Sequence, residues 1–101
     1  MLPNNYLNNS SVKAYNIPEG VEIILMTAFE NNSNLEYVKI PSTIKELGMD
    51  IFSNCPNLKS IDVNMNAEDF MNWDKVKLHN FENRSNIEII HCLDNDLKRK
   101  V

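Results

Sequence analysis

Only two glycines occur in 101 residues, too few for a glycine-rich loop that would cradle phosphate. There are only two histidines, they form no His-x-x-x-His pair, and no serine stands in a nucleophile-elbow context, so the commonest marks of hydrolytic chemistry are missing. The expectation is a non-enzymatic protein with no catalytic residue, no cofactor and no metal. Cysteine is equally scarce: Cys55 and Cys92 fall at different points of the pattern described below, so no disulfide is expected and both read as small buried residues. His91 is expected to point away from the core that Cys92 enters, and His79 is remote in sequence, which leaves no metal-ligand cluster. No apolar run approaches the ~20 residues of a membrane span, and residues Met1 to Ser11 have neither a basic start nor an apolar signal core. As written, the chain is expected in the cytoplasm; if it is trimmed from a longer parent, the cell surface or the outside is expected instead. Its formal charge of -4 argues against nucleic acid or an anionic membrane as the principal partner.

What the chain does have is a period. Ile17 to Lys39 aligns with Ile40 to Asp62 at a spacing of 23 residues: Ile17 on Ile40, Pro18 on Pro41, Val21 on Ile44, Ile24 on Leu47, Phe29 on Phe52 and Leu35 on Leu58. Upstream, Asn9, Val12, Tyr15 and Ile17 precede Asn32, Leu35, Val38 and Ile40 by one period, and Tyr6 takes the place of Phe29. Downstream, Ile87, Ile90 and Cys92 repeat Leu58, Ile61 and Val63 after 29 residues, so six have been inserted. Leu, Ile and Val at fixed offsets in a period of this length mark a leucine-rich solenoid, in which each repeat is one unit and stacking makes the core. Strands are expected at 12–17, 35–40, 58–63 and 87–92.

The offsets also set the shape of one coil. Val38 and Ile40 alternate with Lys39, the period-2 pattern of a strand with one buried face. Pro41 and Pro18 cannot donate to a ladder and end their strands. Val21 with Ile24, and Ile44 with Leu47, then face inward, followed by Ala28-Phe29 and Ile51-Phe52 on a short helical or 3₁₀ turn. Seventeen asparagines suit the turns of such an array.

These residues resemble the BspA-type leucine-rich repeat family, in Ile17-Pro18, Val21, Ile24, Ala28-Phe29 and Leu35, and again in Ile40-Pro41, Ile44, Leu47-Gly48, Phe52, Cys55 and Leu58. The resemblance covers about residues 9 to 63. Leu25 departs from it where Gly48 conforms, Ile51 replaces an alanine and Asn32 a cysteine. Many relatives are secreted or surface adhesive proteins with long arrays, which implies a binding role.

The expected fold is therefore an α/β solenoid of about four coils with a short parallel sheet. One leucine-rich-repeat domain spans 1–101: a partial first coil at 1–16, full repeats at 17–39 and 40–62, an irregular last coil at 63–92 and a tail at 93–101. Asn66 ahead of Ala67-Glu68-Asp69 marks a helix start, and a helix at 67–76 places Phe70, Trp73 and Val76 near one face. Phe70 and Trp73 either plug the open end of the solenoid or form a secondary partner-binding surface. The basic Lys98-Arg99-Lys100 end reads as solvated.

Stacking the strands in register produces three exposed columns: Lys13, Glu36, Lys59 and Glu88; Ala14, Tyr37, Ser60 and Ile89; Asn16, Lys39, Asp62 and His91. The alternating charges of the first are explained by strand pairing alone. The functional expectation is a protein-protein interaction module that binds through Tyr37, Lys39, Asp62, Ile89 and His91. A small effector or inhibitor from a phage, microbe or parasite fits that description. The alternatives are a structural homo-oligomer pairing through open solenoid edges near Val12 to Ile17, and a fragment of a secreted adhesive protein.

Overall fold

The computed structural model describes residues 1–8, 10–82 and 86–98, apart from the side chains of Lys75, Val76 and Glu82. The repeat position assigned to Asn9, the Val76 face of the helix and the Arg99-Lys100 end lie outside the described residues.

Each strongly alternating segment forms a strand. β1 (Ala14–Asn16), β3 (Tyr37–Ile40), β5 (Ser60–Val63) and β6 (Ile89–His91) lie side by side and parallel in one sheet. Tyr15, Val38, Ile61 and Ile90 pair in a single row, as do Ala14, Tyr37, Ser60 and Ile89, and Asn16, Lys39, Asp62 and His91. The 23-residue spacing and the 29-residue spacing are thus both structural registers. Backbone bonds extend the ladder to the charged row, from Glu36 N–H to Lys13 O, Lys59 N–H to Glu36 O and Glu88 N–H to Lys59 O.

On the far side of the core a second parallel sheet, unexpected from the sequence, joins β2 (Ile23–Ile24) to β4 (Glu46–Leu47), with Leu2 bridged to Ile24. Its strands are two residues long, too short for alternation to reveal. Between the sheets lie Ile24, Leu35, Val38, Leu47, Leu58 and Ile61, all buried.

Ala28-Phe29 and Ile51-Phe52 lie on short turns as expected, with 3₁₀-type bonds from Ala28 N–H to Leu25 O, Glu30 N–H to Thr27 O and Ser53 N–H to Asp50 O, and neither turn extends into a helix. The reason is backbone handedness. Thr27 and Asn31 in one repeat, and Asp50 and Asn54 in the next, have φ of 61°, 64°, 56° and 57°, and such left-handed residues four apart stop a helix after one turn. The turns still deliver their aromatics inward: Phe29 and Phe52 stack with ring centroids 5.9 Å apart.

The single helix expected at 67–76 is two helices, α1 (Ala67–Met71) and α2 (Lys75–Glu82). Asn72 closes α1, its N–H donating to Glu68 O, and Asp74 then caps α2 by accepting from Lys77 N–H at 3.0 Å. Asn66 makes no side-chain cap bond; Ala67 N–H instead donates to Asp94 Oδ1 at 2.8 Å. α2 carries Phe81 into the aromatic column, 6.1 Å from Phe52, at the 29-residue offset already read from Ile87. Asn80 beside it is fully buried: Nδ2 donates to Gly48 O and Oδ1 accepts from Ile51 N–H, so one side chain meets backbone groups that a further turn would otherwise meet.

Residues 93–98 of the tail add a turn and a strand, with Lys98 exposed as expected. A turn through Leu93 and Asp94 reverses the chain, and β7 (Asp96–Lys98) pairs antiparallel with β6 at the edge of the sheet. Cys55 is a buried thiol and Cys92 a half-buried one, and the two are not bridged.

Candidate functional site

The exposed face of the five-stranded sheet is built by strand alternation alone. Inward-pointing Val38, Ile40, Ile61 and Val63 fix the strands, which turns Tyr37, Lys39, Ser60 and Asp62 the other way. Lys39 is exposed, whereas Tyr37, Asp62, Ile89 and His91 are half-buried among their neighbours. All five expected contact residues therefore share one face.

Two pairs lock that face. Tyr37 donates its hydroxyl to Asp62 Oδ2 at 2.7 Å, diagonally across β3 and β5. Burial, and then the hydrogen bond to the Asp62 carboxylate, push the Tyr37 hydroxyl up to about 12. His91 Nδ1 lies 2.8 Å from Asp96 Oδ1 across the β6–β7 pair. Each pair ties one side chain to a neighbouring strand. Beyond them the face is uneven. A depression of about 410 Å³ is lined by Glu36, Tyr37, Asn57, Lys59 and Ser60, and one of about 100 Å³ at the other end of the strands by Lys39, Asp62, Asn64, His91 and neighbours.

The edges of the repeats are stitched by polar side chains. Asn34 Nδ2 donates to Ser10 O, Asn57 Nδ2 to Ser33 O, and Asn86 Nδ2 to Cys55 O and Leu58 O, at the same position of successive repeats. Buried Asn32 accepts from Ser10 N–H and donates to Leu7 O and Phe29 O. Its counterpart Cys55 donates its thiol to Phe29 O at 3.0 Å. Glu19 joins three repeats, accepting from Ser42 N–H and from Asn64 Nδ2, and these bonds, the one from Asn64 first, hold its carboxyl below the usual range.

This periodic framework matches a family description over nearly its whole length. The family model for the "BspA type Leucine rich repeat region (6 copies)" matches residues 1–98. The chain belongs to this family. No curated protein and no solved structure matches it. BspA-type repeats are often found in surface proteins, and leucine-rich repeats generally serve protein interaction and are typically non-enzymatic. Among the described residues, no group of three His, Cys, Asp or Glu side chains is placed to hold a metal, and no helix is long and apolar enough to cross a membrane.

The secondary surface assigned to Phe70 and Trp73 divides. Phe70, 2% exposed, packs on Phe81 at 5.3 Å and on Trp73 at 5.2 Å, so it is core; Trp73 is half-buried beside it. One surface escaped the sequence reading. A groove of about 650 Å³ lies over the second sheet, lined by Ile23, Leu25, Met26, Met49 and Lys77 among others. Met26 and Met49 are 51% and 48% exposed and stand one period apart, a signal that was available in the alignment.

Proposed function

We propose that this BspA-type repeat chain is a short solenoid acting as a non-catalytic protein-binding module, with the exposed face of the five-stranded sheet as its contact surface. The observation that carries the reading is the Tyr37–Asp62 hydrogen bond between two registered rows. It holds an aromatic and a carboxylate in one geometry, with exposed Lys39 in register beside Asp62. Half-buried Ile89 adds apolar area on the same face, in the row of Tyr37. The mechanism is steric and surface-complementary, as suits an effector, an inhibitor or one segment of an adhesive array.

Site-specific photocrosslinking tests it. A photoreactive residue at Lys39 is expected to capture a protein that one placed at Met49, in the groove beside the second sheet, does not. Capture from Met49 alone would move the site to the methionine-lined groove. That groove supports a second reading, since an apolar concavity with two adaptable methionines is the usual form of a site for an apolar segment.

A further inference from the structure

We propose that the free edge of β7 pairs with β7 of a second copy, making a two-fold dimer whose sheet continues from one molecule into the other. β7 is an edge strand with no described residue on its outer side. Cys92 N–H donates to Asn95 O, so the hydrogen-bonded pairs of this antiparallel ladder fall at Cys92 with Asn95 and at Ile90 with Leu97. Asp96 and Lys98 therefore turn their backbone groups to the open edge, where Asn95 Oδ1 alone holds the Asp96 N–H.

The side chains select both the partner and the register. An antiparallel pairing centred on Leu97 sets exposed Asp96 opposite exposed Lys98 of the second copy, and the two-fold repeats the match. Sliding the strands by two residues either way sets Asp96 against Asp96 or Lys98 against Lys98. The sequence Asp-Leu-Lys is thus complementary to itself in one register only. On the opposite face Leu97 meets its own copy. It stands on the rim of an apolar groove of about 420 Å³ walled by Phe70, Met71, Leu78, Phe81 and Ile90, where Met71 is 60% exposed. The two-fold runs perpendicular to the sheet, so both Tyr37–Asp62 faces look the same way and the dimer presents the proposed contact surface twice.

Sedimentation equilibrium of the full chain over a range of concentrations, with two charge variants, decides the matter. Wild type is expected to rise with concentration from its 11.7 kDa monomer mass toward twice that value. Lys98→Asp and Asp96→Lys, each shown to be folded by circular dichroism, are each expected to remain monomeric, because like charges then oppose at both positions. An equimolar mixture of the two variants is expected to recover the dimer, since every opposed pair is again of opposite sign. A wild type that stays monomeric, variants that dimerise as well as wild type, or a mixture that stays monomeric would each overturn the proposal.

Discussion

Gly48 and Leu25 occupy the same position of successive repeats, yet only one of them has room for a side chain. A Cβ on Gly48 would lie 2.3 Å from Met26 N and 2.7 Å from Met26 Cα, backbone atoms of the preceding repeat that cannot swing aside. Gly48→Ala is expected to destabilise by about 2–3 kcal/mol in chemical denaturation, at the upper end of ordinary overpacking, because backbone must move. The backbone bond is the same at both positions, Leu25 N–H donating to Leu2 O and Gly48 N–H to Ile24 O. Alkali tests the exposed sheet face at the same scale. Tyr37 and Tyr15 are both pushed up to about 12 from 10.0, Tyr37 by burial and then Asp62, Tyr15 by burial and then Tyr6. Above the unfolded value the unfolded chain loses these protons first, so stability is full below pH 10 and falls as pH rises toward 12. Melting temperatures across that window should drop for wild type and drop less steeply for Tyr37→Phe, which has no phenol to ionise there.

At the scale of elements, legibility followed hydrophobic contrast. The strands around Val38, Ile61 and Ile90 were readable because buried and exposed positions alternate and recur at fixed spacing. β2 and β4 were not, since two residues cannot show a period. β7 was hidden by its charged residues, which read as solvent-facing tail although Leu97 packs against the core. α2 was partly readable: the 29-residue offset that places Ile87 on Leu58 also places Phe81 on Phe52 and Asn86 on Asn57. What the offset could not convey is that Asn80, at the position of Ile51, is a buried polar residue that bonds backbone. Asn80→Ala leaves Gly48 O and Ile51 N–H without that partner, at a cost of about 1–3 kcal/mol. Phe81→Ala removes one ring of the aromatic column and is expected to cost about 3–5 kcal/mol. Equilibrium urea unfolding measures both, and a loss under half a unit for Phe81 would contradict its place in the column. The face residues were legible as a set because they inherit the strand register. Their pairings were not, since a diagonal bond such as Tyr37 to Asp62 depends on side-chain reach and not on spacing.

The whole molecule measures 33 × 31 × 21 Å, and its main sheet has five strands. On the exposed face of that sheet Tyr37 is hydrogen-bonded to Asp62 and His91 to Asp96, and the proposed function takes these pairs as part of a recognition surface. The measurement that tests this most directly is the affinity of the photocaptured partner, purified, for wild type and for two folded variants, Lys39→Glu with Ile89→Glu and Met26→Glu with Met49→Glu. Binding is expected to weaken at least about tenfold, or about 1.4 kcal/mol, in the sheet-face variant and to stay within twofold in the methionine variant. An unchanged affinity for the sheet-face variant, with binding lost on the methionine side, would contradict the account.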